Sequence, residues 1–250
     1  INIFNRIVNL ESLKPSKETN GAFSDLVKYC EENKNIHLKK YQIEELRKLS
    51  SVAEYEMELY WAKRIVSSKE PAKELKRFWY YTNYEQLVDL EYSNIKYLHS
   101  EDIGDILFVG GGPLPLTSIL LCEKYNITCT ILECNQVSYD TSLKLIEKLK
   151  LQDKIKVINI DAEKYLYYNK FNLTYLAALV GHTNASKNKI INTIYSNIQK
   201  DGLVLCRSSH GTRRLLYASI SQTLLTKIKP VLEVRPYNSI INSFFILQKT

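Results

Sequence analysis

The stretch Asp105-Ile-Leu-Phe-Val-Gly-Gly-Gly-Pro-Leu-Pro-Leu-Thr-Ser118 decides the fold of this 250-residue chain. A short, mostly apolar run typical of a strand leads into three glycines, and a helical pattern follows over Thr117–Tyr125. Glycines between a strand and a helix let a ligand approach the backbone at the helix N-terminus. Gly110 and Gly112 supply the first two glycines of a dinucleotide fingerprint, but Pro115 takes the third position. The missing glycine argues against NAD, whereas S-adenosylmethionine (SAM) has no pyrophosphate and tolerates the change.

From residue 100 onward, the sequence alternates between strand and helix patterns. Strands are predicted at Asp105–Val109, Ile127–Glu133, Ile155–Ile160, Phe171–Val180, Gly202–Arg207, Ile228–Pro236 and Ile240–Gln248, and helices at Thr117–Tyr125, Ser138–Lys150 and Ser186–Lys200. Such alternation predicts a doubly wound, mostly parallel sheet. The last two strands predict a hairpin, and hence a seven-stranded sheet with one antiparallel edge. The predicted fold is α/β, with the Rossmann-like architecture of class I SAM-dependent enzymes.

Before residue 100, charged and aromatic residues recur at helical spacing. The longest predicted helix, Tyr41–Ser67, has an apolar face formed by Ile43, Leu46, Leu49, Val52, Tyr55, Leu59 and Ala62. A second helix is predicted over Tyr84–Leu98, and loops over Pro15–Gly21 and Asn33–Asn35. We therefore predict a helical N-terminal domain over residues 1–100, acting as a lid on the acceptor side, and a SAM-binding Rossmann-like domain over residues 101–250.

Two acids follow the next two predicted strands. Glu133 closes the second strand about 20 residues after the glycines, where an acid usually holds ribose hydroxyls. Asp161 ends the third strand and is placed to meet an adenine amino group. Each acid alone is equally compatible with a helix N-cap. Three such features at the carboxyl ends of three successive strands favour a SAM site.

Composition narrows the class of protein. Hydrophobic residues make up 45% of the chain and charged residues 24%, which excludes a disordered chain. The net charge is +7, yet Lys and Arg are interleaved with acids, so the contiguous basic face of a nucleic-acid-binding protein is not predicted. No signal peptide and no run of about 20 apolar residues is visible, so no membrane partner is predicted.

The cysteine and histidine patterns give no metal signature. The chain has five cysteines, Cys30, Cys122, Cys129, Cys134 and Cys206, with no C-x-x-C pair and no zinc spacing. They favour free, mostly buried thiols in a reducing cytosol, so a cytoplasmic protein without a metal site is predicted. His37, His99 and His182 are interpreted as structural.

Several strings resemble the nicotianamine synthase family, and the length is closer to its archaeal members than to its plant members. They are Phe78–Tyr84 (FWYYTNY), Leu90–Tyr92 (LEY), Val109–Ile119 (VGGGPLPLTSI), Leu176–Gly181 (LAALVG), Arg207–Arg213 (RSSHGTR) and Ile240–Ser243 (IINS). The match runs colinearly from about Glu54 to the C-terminus. Leu176–Gly181 also replaces the Asp/Asn-Pro-Pro-aromatic motif of many adenine and amide N-methyltransferases, and it offers no acid or amide to polarise an acceptor.

The resemblance implies a reaction and a set of residues. The family transfers the 3-amino-3-carboxypropyl group of SAM to an amine, releases methylthioadenosine, and so builds metal-chelating metallophores. The family's catalytic glutamate falls on Glu58, its catalytic tyrosine on Tyr84, and a second family acid on Glu54. SAM contacts are expected from Gly110, Gly111, Gly112, Pro113, Leu114, Glu133, Asp161, Ala162, Ala177 and Ala178.

The residue types fit this chemistry. A protonated amine must lose a proton before it attacks, and a carboxylate within hydrogen-bonding reach can accept it. Glu54 and Glu58 are spaced i, i+4 on one predicted helix, and two close carboxylates raise each other's pKa. Spacing alone favours a solvated helix face, since other glutamates lie nearby, and it is the family resemblance that favours a catalytic role for Glu58.

Further residues are candidates for holding the substrates. Arg207 and Arg213 are candidates to clamp α-carboxylates, because Arg binds them bidentately, with a purely structural salt bridge as the alternative for one of the two. Tyr80, His210 and Asn242 are further candidate contacts. The expected acceptor is a small amino acid such as glutamate, an aminobutyrate or histidine, and the sequence does not choose among them. The alternatives are a small-molecule N-methyltransferase, which releases S-adenosylhomocysteine, and an RNA-binding module.

Overall fold

Five helices precede a seven-stranded sheet in the computed structural model, which describes residues 3–100, 102–181 and 183–250. The helices are α1 (Ile3–Val8), α2 (Lys17–Glu32), α3 (Lys40–Ser67), α4 (Pro71–Leu75) and α5 (Tyr81–Leu98). The predicted helix over Tyr41–Ser67 agrees with α3, and the helix predicted from Tyr84 begins at Tyr81. His182 lies outside the described residues.

Strands and helices then alternate as predicted. They are β1 (Asp105–Val109), α6 (Leu116–Tyr125), β2 (Thr128–Glu133), α7 (Gln136–Lys148), β3 (Ile155–Asn159), β4 (Leu173–Leu176), α8 (Asn184–Asn197), β5 (Leu203–Ser208), α9 (Gln222–Lys227), β6 (Leu232–Val234) and β7 (Ser243–Gln248). The strand order is β3-β2-β1-β4-β5-β7-β6. All described pairs are parallel except those of β7, so the predicted seven-stranded, mostly parallel α/β sheet is confirmed.

The last two strands form the predicted antiparallel edge of the sheet. β7 lies between β5 and β6 and is antiparallel to both, so β6 forms the edge. The strand predicted over Ile228–Pro236 is confined to three residues, and β7 begins at Ser243 rather than at Ile240. The apolar residues Ile240 and Ile241 are instead buried in the loop before β7, where they pack against neighbouring elements without joining the ladder.

The fourth strand is also shorter than predicted. β4 ends at Leu176, and residues 177–181 leave the sheet as a loop that ends at Gly181, with φ of +78°. The residues of this run are half-buried in the loop, where Val180 packs against Gly110 of the glycine stretch. This loop matters below, because it lines the candidate site.

Two expectations for the helical part are wrong. Residues Lys17–Gly21, predicted as loop, belong to α2, because Ser16 caps that helix by accepting a hydrogen bond from the Thr19 amide at 3.1 Å.

The predicted apolar face of α3 is also only partly correct. The residues that α3 buries are Leu46, Ser50, Ala53, Trp61, Ala62 and Ile65, whereas Val52 is exposed. A helix of 28 residues meets different partners along its length, so its buried face rotates.

One hydrophobic core joins the helices to the sheet. Trp61 and Ile65 of α3 and Val88 of α5 belong to the same buried cluster as Ile106 and Phe108 of β1. A second cluster fills the opposite face of the sheet under α8 and α9, and a third packs α1, α2 and α3 against residues 215–216. The core therefore fixes α3 and α5 over the carboxyl end of the sheet. Among the described residues, no helix is long and apolar enough to span a bilayer.

Candidate active site

A cavity of about 610 Å³ opens at the carboxyl ends of β1, β2 and β4. It is lined by all ten residues predicted for SAM, namely Gly110, Gly111, Gly112, Pro113, Leu114, Glu133, Asp161, Ala162, Ala177 and Ala178. Glu54, Glu58, Tyr84, Arg207 and Asn242 line it as well. The structure thus brings residues from the helical part and from the sheet to one large cavity.

The three glycines are required mainly by the packing of the protein on itself. A Cβ atom on Gly110 would collide with the Val180 side chain, and one on Gly111 with Ile131. Gly110 and Gly112 also have positive φ angles of +87° and +64°. At Gly112, a Cβ would lie 2.9 Å from Glu58 Oε2. The glycine stretch therefore lies directly against the predicted catalytic glutamate.

Glu133 holds the glycine stretch in place. Its Oε2 accepts a hydrogen bond from the Gly112 amide at 2.8 Å, and its Oε1 accepts one from the Asn135 amide at 2.8 Å. The residue is buried. The sequence left open whether Asp161 contacts a ligand or caps a helix. In the structure it lines the cavity, and it also caps a short 3₁₀ turn by accepting a hydrogen bond from the Glu163 amide at 2.9 Å.

Glu58 and Tyr84 meet across the interface between α3 and α5. The Tyr84 hydroxyl donates to Glu58 Oε1 at 3.3 Å. Removal from bulk water, and then the Glu54 carboxylate, raise the pKa of Glu58 well above its usual range. Removal from water and the Glu58 carboxylate likewise raise the pKa of Tyr84, so the phenol keeps its proton and acts as the donor.

Glu54 lies one helical turn before Glu58 and has its own phenol. The Tyr217 hydroxyl donates to Glu54 Oε2 at 3.0 Å. Loss of hydration raises the pKa of Glu54 to about 7, although the Tyr217 hydrogen bond opposes the shift. Each of the two acids therefore accepts a hydrogen bond from a phenol at the cavity wall.

Arg207 lies beneath this group, and Glu91 neutralises it. Its Nε and one terminal nitrogen donate to the two carboxylate oxygens of Glu91, each at 2.8 Å, and that nitrogen also donates to Thr117 Oγ1 at 2.9 Å. Both charged side chains are buried. These hydrogen bonds occupy Nε and one terminal nitrogen, which leaves only the other terminal nitrogen for the substrate carboxylate for which the sequence made Arg207 a candidate.

A second, smaller cavity of about 90 Å³ adjoins the first. Five residues line both cavities: Glu54, Glu58, Tyr84, Tyr217 and Asn242. Tyr80, a predicted substrate contact, lines the small cavity only. Two acids and two phenols, those of Glu54, Glu58, Tyr84 and Tyr217, therefore lie at the junction of the two cavities.

Two predicted substrate contacts lie outside both cavity linings. The guanidinium of Arg213 donates to the carbonyl oxygens of Pro236, Asn238 and Ile240, each at 2.7 Å, and so holds the loop before β7. The His210 ring packs edge-on against Tyr237. The structure therefore separates these two residues from Glu58 and Tyr84.

Sequence reasoning missed several residues that shape the site. Tyr217 and Ser50 line the cavities but belong to no recognised motif, and Glu91 lies within a family string without an assigned role. Lys187 is fully buried, and its Nζ donates to the carbonyl oxygens of Ala178 at 2.6 Å and of Arg207 and Ala218 at 3.4 Å each. A lysine inside a helix gives no sequence signal of burial.

Comparison with known proteins identifies the family. The family model described as nicotianamine synthase protein matches residues 1–250. The chain belongs to the nicotianamine synthase family. Nicotianamine synthase 2 of Arabidopsis thaliana is 30% identical over 269 residues, which cover 100% of this chain and 82% of that protein. Nicotianamine synthase of Solanum lycopersicum is 29% identical, with 99% of this chain and 81% of that protein covered.

Solved structures agree on the fold. MtNAS in complex with MTA and tNA superimposes with a TM-score of 0.84 at 21% identity, covering 99% of this chain and 96% of that chain. A mutant of MtNAS in complex with S-adenosylmethionine has a TM-score of 0.84 at 22% identity, covering 99% and 95%. The predicted nicotianamine synthase family is thus confirmed, and with it the enzyme class: a transferase that takes the aminocarboxypropyl group from SAM.

Proposed function

We propose that the large cavity binds SAM and that the chain transfers its aminocarboxypropyl group to an amino-acid acceptor whose amine lies beside Glu58. The observation that carries this proposal is the position of Glu58. It contacts Tyr84, lies against Gly112 of the glycine stretch, and lines both cavities. A base at that junction is in reach of an amine in one cavity and of a donor in the other.

The large cavity fits SAM by its size and its chemistry. Its mouth is formed by the glycine stretch and by Glu133 and Asp161 at the ends of two strands, which suit ribose hydroxyls and an adenine amino group. Ala177 and Ala178 are small, and they leave room for a flat ring. SAM supplies a sulfonium, which makes the attached carbon of its aminocarboxypropyl group electrophilic.

The proposed transfer forms one bond, breaks one bond and moves one proton, and residues at the junction of the two cavities accept that proton. The amine nitrogen forms a bond to the propyl carbon next to sulfur while the carbon–sulfur bond breaks. The bonding electron pair stays on sulfur, so neutral methylthioadenosine leaves. The nitrogen loses a proton, which Glu58 accepts, and Tyr84 holds the carboxylate in position through its hydrogen bond. The raised pKa of Glu58 makes its carboxylate a better base near neutral pH.

The helical part supplies the acceptor side of this reaction, because α2, α3 and α5 provide most of the small-cavity lining. We assign residues 1–100 to this role and residues 101–250 to SAM binding. The product is a metal-chelating amino acid of the nicotianamine type, made in the cytoplasm. Names of the relatives and the MTA bound in MtNAS support this assignment.

The nucleoside product tests the proposed reaction. Purified protein, SAM and a panel of amino acids are incubated, and the nucleosides are separated by chromatography. Methylthioadenosine is the expected product, matched mole for mole by an acceptor that gains the aminocarboxypropyl mass. A predominance of S-adenosylhomocysteine would instead establish methyl transfer.

A further inference from the structure

The two acids at the junction of the cavities have no cation as a partner. Among the described residues, neither Glu54 nor Glu58 forms an ion pair. Tyr217 donates to one oxygen of Glu54 and Tyr84 to one oxygen of Glu58, and the other oxygen of each carboxylate has no hydrogen bond to the described part of the chain. Arg207 is the only Lys or Arg among the described residues that line the large cavity, and a buried carboxylate already balances its charge. A buried acid without a partner is unfavourable, so a cation supplied by a ligand fits this place.

A buried amide at the same junction also has no partner. Asn242 lines both cavities and is 9% exposed, and its Nδ2 makes no hydrogen bond in the protein. Buried polar groups are rarely left unpaired. The acids and the amide together point to a ligand that carries both a positive charge and a hydrogen-bond acceptor. SAM carries both, as a sulfonium and a carboxylate at its aminocarboxypropyl end.

The proposed reaction places the sulfonium close to Glu54. The acceptor amine must lie within hydrogen-bonding reach of Glu58 and about 3–3.5 Å from the carbon attached to sulfur. Glu54 lies one helical turn before Glu58, and such positions have Cβ atoms about 5–6 Å apart. Its neighbours Ser51 and Tyr55 line the large cavity only. This face of α3 therefore borders the donor cavity.

We propose that Glu54 is the counter-ion of the SAM sulfonium, so that the site binds the cationic donor more tightly than uncharged thioethers. The inference rests on the proposed function, because it takes SAM to lie in the large cavity with its sulfur at the junction. A carboxylate attracts a cation most strongly where bulk water is excluded. When the carbon–sulfur bond breaks, sulfur loses its charge, so methylthioadenosine loses this attraction and its release is favoured.

SAM and S-adenosylhomocysteine are matched probes, because they differ only by the methyl group that gives sulfur its charge. Calorimetry at pH 8 should give a Kd at least about 10-fold lower for SAM, as about 1.4 kcal/mol of attraction gives. In Glu54→Gln, the Kd of SAM should rise about 10-fold, whereas the Kd of S-adenosylhomocysteine should change less than about twofold and so report an intact fold. Glu56→Gln, on the same helix but outside both cavity linings, should keep both Kd values of the parent.

The pH dependence of the parent protein tests the charge without a variant. Loss of hydration raises the pKa of Glu54 to about 7, so the carboxyl is mostly protonated at pH 6 and mostly charged at pH 8. The preference for SAM over S-adenosylhomocysteine should therefore increase from pH 6 to pH 8 and stay constant in Glu54→Gln. An increase that persists in Glu54→Gln would assign the charge to another group and overturn the inference. The charged and titratable groups that face Glu54 are Glu58, Tyr80, Tyr84, Arg207 and Tyr217.

The outcomes separate the inference from the proposed function. Equal Kd values for the two ligands in the parent at pH 8, or an equal loss of affinity for both in folded Glu54→Gln, overturn the inference. Methylthioadenosine release by a protein that binds both ligands equally leaves the proposed function intact. Release of S-adenosylhomocysteine as the main product overturns that function and, with it, the inference.

Discussion

In the proposed function, the chemistry depends on Glu58. It lies where two cavities meet, with Tyr84 on one side and the backbone of Gly112 on the other. The residues proposed to contact SAM belong mainly to the sheet and the loops at its carboxyl end. A change at Glu58 should therefore separate catalysis from donor binding.

Glu58→Gln should lower turnover by about 10²–10⁴-fold, the usual contribution of a general base. SAM affinity, measured by calorimetry, should stay within about twofold because the sheet residues are unchanged. Raising the pH should partly restore activity, since the acceptor amine then deprotonates in solution. Glu56→Gln is the matched control, because Glu56 lies on the same helix but lines neither cavity. Full activity in Glu58→Gln would place the base elsewhere.

Glu54 makes stability depend on pH. Its pKa is raised by loss of hydration to about 7 in the folded protein, above its usual 4.5. Between these two values the folded state binds more protons than the unfolded state, so stability falls as pH rises through this window. Glu54→Gln removes the penalty, and its melting temperature should exceed that of the parent by a few degrees at pH 8, at about 2–4 °C per kcal/mol. At pH 4 the two proteins should melt alike. A lower melting temperature of the variant at pH 8 would contradict the assignment.

At the scale of elements, the loop after β4 depends on α8. Lys187 Nζ binds the carbonyl oxygen of Ala178 from below, and a Cβ on Gly181 would collide with the Lys187 backbone. The same ammonium reaches the carbonyl oxygens of Arg207 on β5 and of Ala218, next to Tyr217. One buried charge therefore links three segments that line the large cavity.

Lys187→Met keeps most of the volume but leaves these carbonyl oxygens without their donor. We expect a loss of about 1–3 kcal/mol in unfolding free energy, the cost of unsatisfied buried acceptors. The KM for SAM should rise several-fold while kcat changes less, because the loop shapes the donor cavity and does not carry the base. Urea unfolding and steady-state kinetics measure the two effects. Lys144→Met on α7, an exposed lysine, is the control and should change neither. An unchanged KM in folded Lys187→Met would mean that the loop is held without this lysine.

At the scale of the whole molecule, one buried ion pair joins the helices to the sheet. Glu91 of α5 binds Arg207 of β5, and Thr117 of α6 adds a third partner. Because both charges are buried, removing one leaves the other uncompensated.

Glu91→Ala should therefore destabilise the protein by about 3–5 kcal/mol in urea unfolding. The double variant Glu91→Leu, Arg207→Met removes both charges and should recover much of this loss. Glu85→Ala, also on α5, should cost less than about 1 kcal/mol because its ion pair with Lys124 is partly exposed to solvent. A double variant that is no more stable than Glu91→Ala would show that packing, and not the unpaired charge, sets the cost.

The sequence by itself determined the elements whose signals are local. The glycine stretch, the strand–helix alternation and the acids at strand ends are read from neighbouring residues. They predicted the sheet together with the glycines and the two acids at its carboxyl edge, and the family resemblance supplied the rest of the ten residues that line the large cavity. Carboxyl ends of parallel strands meet at one edge whatever the side-chain details, so local patterns were sufficient there.

Only the tertiary structure decided the partners that come from distant parts of the chain. Tyr217 meets Glu54 and Arg207 meets Glu91 across 163 and 116 residues of sequence. Arg213, which has the same local signals as Arg207, binds backbone carbonyl oxygens instead. The small cavity depends on α2, whose beginning resembled a loop. Which charges pair and which cavities form depends on how the whole core packs, and no periodicity within a helix or strand encodes that choice.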